Sequence, residues 1–235
     1  MVDCVQYIWL KIKKYFSFLK KSVDEKPDNK SKSAEECVDE MFSSLILDDI
    51  TLEVAENLYD LVSRDSIGKL REEIKNKTGF ILPVVYVHSN SELEDNKYKI
   101  YIKEDLVFED YTVPFSEYLE AETMYNLEKI CKENIETIFT NKLFERYLDL
   151  VQKNNQKLLW EIGWYLAPTD IRTILIELIK AQKSIKDIEY VFEQIGKYAY
   201  LRSPKNILKM IKNSIKDFEW DISFQRPDVI LPKID

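Results

Sequence analysis

TDIRTILIELIKAQK, residues 169–183, sets apolar side chains at Ile171, Ile174, Leu175, Leu178 and Ile179. Spacings of three and four residues put all five on one side of an α-helix, so this segment must bury one face. The signal continues downstream. Ser184-Ile185-Lys186-Asp187 reads as an N-cap followed three residues later by an acid, a weak form of the capping box. Ile185, Ile188, Phe192 and Ile195 then carry the same period to Tyr198. Ser203-Pro204 opens a third helix, with proline at the first helical position, where its missing N–H costs nothing. Ile207, Leu208, Ile211, Ile215 and Phe218 would form its apolar side. Three helices with short joints must pack on one another. Working backwards, Leu127, Ile130, Cys131, Ile135 and Ile138 give one earlier stripe, and Leu143, Phe144, Tyr147, Leu148 and Val151 the next. Leu158, Leu159, Ile162 and Leu166 lead into the opening segment. The reading is a helical unit over 122–218, followed by an extended tail at 219–235 that holds Pro227 and Pro232.

Upstream the period changes. Phe80–Val87 (FILPVVYV) is an apolar, β-branched run of strand length. Pro83 cannot donate to a ladder, which makes the strand an edge or one with a bulge there. After a polar turn at Ser89–Asn96, Lys97–Lys103 (KYKIYIK) alternates Tyr98, Ile100 and Ile102 with lysines and Tyr101, a strand with one wet face. Glu104-Asp105 turns the chain into Leu106–Val113, so a hairpin is expected. Ser66 can cap a helix through Ile67, Leu70 and Ile74, and Gly79 stands where a C-cap glycine belongs. Asp48–Val62 fits a short strand or a helix. The expected class is α+β: a small mixed sheet of about three strands with flanking helices over 34–121, then the all-helical unit.

The first 21 residues differ from the rest. Val5, Ile8, Ile12, Phe16 and Leu19 share a helical face with Trp9 and Tyr15 at its margins, while Lys11, Lys13, Lys14, Lys20 and Lys21 fill much of the remainder. Five lysines and one aspartate give this segment +4, leaving −12 of the total −8 on residues 22–235. A basic amphipathic helix with an interfacial tryptophan suits an anionic membrane surface or a protein partner through Ile8, Trp9, Lys11, Ile12, Lys13, Lys14 and Phe16. The alternative is a helix packed on its own domain or on a second copy. Lysines interrupt its apolar run, so it does not read as a signal peptide. Residues 22–33 (SVDEKPDNKSKS) form a polar linker, with a helix expected over Ala34–Leu47.

The acidic body disfavours nucleic acid, whose binding needs basic surface to displace counterions. Three widely spaced cysteines (Cys4, Cys37, Cys131) form neither a disulfide framework nor a zinc pattern. No apolar run of about 18 residues exists to cross a bilayer, and a cytoplasmic location, peripheral on the membrane at most, is expected. Four glycines leave no phosphate loop. The single histidine, His88, has no cysteines or carboxylate cluster beside it to hold a metal, and no elbow sequence marks a nucleophile. Paired carboxylates (Glu35-Glu36, Asp48-Asp49, Glu72-Glu73) fit helix starts and solvated surface. The reading is therefore non-enzymatic, without cofactor. Trp160 and Trp164, four apart, share a helical face; they either pack in the core or form an exposed docking patch.

Two stretches resemble the cytoplasmic domain of the FHIPEP family, the FlhA/InvA-type export-gate proteins of flagella and type III secretion. In Leu70–Pro114, residues Gly79-Phe80, Pro83 and Val85 match the family's G-F-x-x-P-x-V, and Leu93, Asn96, Tyr98, Ile100 and Ile102 match its L-x-x-N-x-Y-x-I-x-I. Leu150–Ile215 is similar to the family's helical subdomain, with Ser184-Ile185-Lys186-Asp187 and Glu193 as the nearest local matches and Lys186 where the family usually has arginine. The family's transmembrane part and the Phe-His-Ile-Pro-Glu-Pro segment that names it are not in this sequence. Its inserted second subdomain has no room between Pro114 and Glu122. The resemblance implies a shortened module of protein export whose partners are export-apparatus, chaperone or substrate proteins. The family docks chaperone–substrate complexes beside the second subdomain, so no binding residue is carried over. A soluble adaptor, regulatory or immunity-type protein that keeps the fold without export is the alternative. Oligomeric state stays open.

Overall fold

The computed structural model describes residues 49–112 and 116–220. The expectations for the basic segment 1–21, the linker 22–33, the helix at 34–47 and the tail beyond Trp220 lie outside these residues.

The sheet has four strands, one more than expected. β1 (Ile50–Ala55), β2 (Val85–Asn90), β3 (Lys97–Ile102) and β4 (Asp105–Tyr111) lie in the order β2-β1-β3-β4. β1 therefore sits inside the sheet, parallel to β2 and antiparallel to β3. It was the ambiguous stretch because only six residues alternate before the chain turns into the short helix α1 (Glu56–Tyr59). So short a run cannot be assigned from period alone. Alternation decides which face is dry. Ile50, Leu52, Val54, Tyr98 and Ile100 are fully buried, while Thr51, Glu53, Lys99 and Tyr101 line the wetter face.

The β3–β4 hairpin forms as expected, with a bulge between Ile100 and Tyr101. β2 starts only after Pro83 and runs on to Asn90, through residues expected as turn. Phe80–Val84 is extended but makes no ladder. Its backbone groups are met by side chains instead: Ile81 N–H donates to the Tyr147 hydroxyl at 2.9 Å and Arg71 Nε to the Leu82 carbonyl at 3.1 Å. Buried Phe80 and Leu82 flank exposed Ile81 in strand-like alternation, which breaks at Val84, exposed where the period would bury it.

Helix α2 (Arg64–Thr78) joins β1 to β2. Its N-cap is Ser63 and not Ser66: Ser63 Oγ accepts from Ser66 N–H at 3.2 Å. Ser66 lies inside the first turn. Helix α3 (Ser116–Glu133) begins before the expected Glu122 and packs beneath the sheet, where Asn126 Nδ2 donates to the buried Tyr98 hydroxyl at 2.6 Å. That bond satisfies a phenol with no access to water. Then follow α4 (Ile135–Ile138), α5 (Asn141–Asn154), α6 (Gln156–Gly163), α7 (Pro168–Lys180), α8 (Ile188–Tyr198), a 3₁₀ turn (Ala199–Leu201) and α9 (Pro204–Ile211).

In α7 the five stripe residues are at most 4% exposed, and Ile176 is buried with them. Such a helix is covered on more than one side, which its neighbours α4 and α9 supply. Asp170 Oδ2 accepts from Ala167 N–H at 3.0 Å, closing the start of α7. The third helix ends at Ile211, not Phe218, yet Ile215 and Phe218 remain buried. A bridge between Lys183 and Asp217, with Lys183 Nζ 2.5 Å from Asp217 Oδ1, holds that end of the chain to the α7–α8 joint.

Candidate functional site

Gly79 ends α2 in the left-handed region at φ +78°, its N–H donating to the Lys75 carbonyl at 2.9 Å. A Cβ there would lie 2.3 Å from Lys186 N and 2.4 Å from Lys186 Cα. Two constraints, backbone sign and space, thus demand glycine. The other partner is the chain at 184–186. Ile185 N–H donates to the Thr78 carbonyl at 2.7 Å, and Ser184 Oγ donates to the Lys77 and Thr78 carbonyls at 3.2 and 3.3 Å. Ser184 is therefore not the cap of α8. Asp187 takes that role, its Oδ1 accepting from Tyr190 N–H at 3.1 Å. The serine instead satisfies orphan carbonyls at the end of α2.

Tyr147 completes the joint. Its hydroxyl donates to the Gly79 carbonyl at 2.8 Å and accepts from Ile81 N–H. Its ring stacks on Phe139 at 5.5 Å, and Phe139 stacks on Phe80 at 5.6 Å. Burial pushes the Tyr147 phenol above its ordinary range, so it stays a neutral donor. Gly79, Phe80, Ser184 and Ile185, the residues singled out by resemblance, fasten the sheet to the helices. They are structural here.

The exposed surface lies elsewhere. Helix α6 packs closely on α8 at Gly196, where a Cβ would come within 3.0 Å of Leu158 Cδ1 and 3.4 Å of Ile162 Cγ1. With Ile162 turned inward and fully buried, Trp160 and Trp164 point to solvent, 51% and 61% exposed. Core packing, one of the two readings of this pair, does not hold. Tyr165 and Tyr200 are exposed as well, and the Arg202 guanidinium lies 5.8 Å from the centre of the Tyr165 ring. Arg202 sits in the left-handed region at φ +52°, closing the 3₁₀ turn after α8. Sequence reading missed Tyr165, Tyr200 and Arg202. Tyr165 adjoins Trp164 and was open to notice, but nothing in spacing connects it with Arg202.

No cluster of three or more His, Cys, Asp or Glu capable of holding a metal occurs among the described residues. His88 is exposed on β2, in register with Glu53 of β1. Glu53 itself accepts from Asn90 Nδ2 at 3.0 Å and the Tyr101 hydroxyl at 3.1 Å. Cys131 is buried, and desolvation, with Glu128 second, pushes its thiol far up and away from thiolate chemistry. Glu72 pairs with Lys75 at 3.2 Å on the exposed side of α2. Among the described residues no helix is long and apolar enough to cross a membrane. Ile8, Trp9, Lys11, Ile12, Lys13, Lys14 and Phe16 lie outside them.

A mixed four-stranded sheet clamped through a glycine corner to a helical unit is a fold found in solved structures. MxiA of Shigella flexneri matches with a TM-score of 0.58 at 17% identity, over 70% of this chain and 62% of that one. CdsV of Chlamydia pneumoniae, solved in complex with CdsO, matches with 0.63 at 14% identity, over 79% and 66%. The nonameric SctV-C of EPEC matches with 0.59 at 14% identity, over 70% and 64%. The chain thus spans less than two thirds of each of these structures. A search of curated proteins finds no matching sequence. The FHIPEP family model matches residues 4–122, just over half of the chain, and the chain belongs to that family. The match takes in the basic segment at its start and the Gly79-Phe80 corner. The helical stretch 150–215 lies beyond it.

Proposed function

We propose that this chain is a protein-interaction module of protein export, not an enzyme, and that the exposed face of α6 with Trp160 and Trp164 is where a partner protein docks. Family membership supports the export setting. The observation that carries the docking site is the outward placement of Trp160 on α6 and Trp164 at its C-cap, on a helix fixed from behind by Ile162 and Gly196. Buried aromatic anchors dominate many protein interfaces, and an isolated domain rarely leaves two tryptophans half or more in water without use for them. CdsV is found with CdsO and SctV-C as a nonamer, which supports export-apparatus proteins or further copies of this chain as partners. The basic segment 1–21 would hold the module peripherally at an anionic inner membrane face through Trp9, Ile8, Ile12, Phe16 and the lysines at 11, 13 and 14, with 22–33 as its tether.

Two measurements test this reading. The full chain should bind phosphatidylserine vesicles, and a chain lacking 1–21 should not; equal binding would end the tethering reading. Partners should be sought by co-purification with the export apparatus of the source cell, comparing wild type with Trp160→Ala/Trp164→Ala. An unchanged set of partners would end the docking reading.

A further inference from the structure

From residue 194 to 216 the chain carries Lys197, Arg202, Lys205, Lys209, Lys212 and Lys216 and no Asp or Glu. Without these six the formal charge of −8 becomes −14, so this is a basic island on an acidic protein. All six are exposed, and none joins an ion pair among the described residues. Lys205, Lys209 and Lys212, at i, i+4 and i+7, lie along one side of α9. The other side, Ile207 and Ile211, is fully buried among the helices. Like charges at such spacing cost a few tenths of a kcal/mol per pair, so the stripe does nothing for folding. Arg202 stands at its head, two residues after exposed Tyr200 and over the ring of Tyr165, the residue next to Trp164, and thereby joins the stripe to the aromatic residues at the end of α6.

We propose that stripe and aromatic face form one surface for an acidic segment of a partner protein, its carboxylates on Arg202 and the α9 lysines and its apolar side chains on Trp164, Tyr165 and Tyr200. This rests on the docking reading of Trp160 and Trp164 and adds the chemistry of the partner. Charge complementarity selects anions. Size then selects among them. The stripe from Lys205 to Lys212 is about 10 Å long at 1.5 Å per residue, near the Debye length at physiological salt. A duplex or a bilayer extends well beyond it and would meet the acidic remainder, whereas a short peptide touches the island alone. Ile207 and Ile211 of α9 are committed to the core and Met210 is its one exposed apolar residue, whereas a helix that lies in lipid needs a whole apolar face.

The experiment uses the full chain and a fluorescent synthetic peptide alternating glutamates with leucine and tryptophan. The controls are the same peptide with lysine for glutamate, a short DNA duplex and phosphatidylserine vesicles. The acidic peptide should bind and the basic one should not. Affinity should fall with salt, and Lys205→Glu/Lys209→Glu/Lys212→Glu should weaken binding about tenfold or more, mainly through association. Lys209→Gln, which adds no acid, should weaken it less, and circular dichroism with urea midpoints should show both variants folded. If the peptide binds through Trp160 and Trp164 but ignores salt and the lysines, the acidic partner is refuted while the docking face stands. If neither set of substitutions matters, or the peptide does not bind, the acidic-partner proposal is refuted, and the docking face is then decided by the co-purification with Trp160→Ala/Trp164→Ala. Duplex or vesicle binding that depends on the same three lysines, without peptide binding, also refutes the proposal.

Discussion

Replacing Gly79 with alanine should be among the most damaging single-methyl changes this protein can suffer. The position has φ +78°, and an L-residue held in the left-handed region costs roughly 1–2 kcal/mol. The added Cβ would stand 2.3–2.5 Å from the backbone of Ile185 and Lys186, against ordinary contact at about 3.4–4 Å. No side-chain rotation relieves a backbone contact, so the 184–186 segment must move by about an ångström. That movement breaks Ile185 N–H to Thr78 carbonyl and loosens the Ser184 bonds. At about 1 kcal/mol for each hydrogen bond lost, the total comes to roughly 3–4 kcal/mol. Against typical stabilities of about 5–15 kcal/mol, such a loss removes roughly a fifth to four fifths. Urea unfolding by circular dichroism should show a lower midpoint with unchanged slope, and at about 2–4 °C per kcal/mol the Tm should drop roughly 6–16 °C. Gly68→Ala is the internal control. Gly68 is exposed within α2 with nothing within 4 Å of its missing Cβ, so alanine there should stabilise by about 0.5–1 kcal/mol. A Gly79→Ala loss under about 1 kcal/mol would refute the account of the corner.

Tyr147→Phe keeps the stack on Phe139 but strips the bonds to Gly79 and Ile81, and should cost about 1–3 kcal/mol in the same unfolding assay. Trp160→Ala/Trp164→Ala should change stability by less than about 1 kcal/mol, since both rings are exposed, while abolishing partner binding; a large drop in Tm would mean that the rings are buried in solution. In a chain with Cys4 and Cys37 changed to serine, Cys131 should resist thiol reagents until urea unfolds the protein, because burial disfavours its thiolate. The bond from Lys180, then its charge, holds the Glu136 carboxyl below its ordinary 4.5. A carboxyl depressed in the folded state adds stability above its unfolded pKa and loses it as pH falls through the folded one. Wild type should therefore exceed Glu136→Gln slightly at neutral pH and converge with it in acid, read as urea midpoints.

What the sequence determined by itself is local. The stripe of Ile171, Ile174, Leu175, Leu178 and Ile179, the alternation of Tyr98, Ile100 and Ile102, the Pro204 helix start and the Gly79 cap each express one element's geometry within a few residues, and each is found where the sequence places it. The family followed from the order of such signals. What only the tertiary structure decided is which elements meet. β1 runs inside the sheet because β2 and β3, both distant in sequence, hydrogen-bond its two edges. Ser184 abandoned a cap it was suited to because the end of α2 offered unpaired carbonyls, and Asp187 capped α8 in its place. Phe80–Val84 makes no ladder, and side chains of Tyr147 and Arg71 meet the Ile81 N–H and the Leu82 carbonyl in its place. The exposed aromatic and basic surface follows the same rule. Helical period puts Trp160 and Trp164 on one face, but whether that face is dry depends on where α8 packs. Gly196, by letting α6 close in from the Leu158 and Ile162 side, leaves the tryptophans in water beside Tyr165 and Arg202.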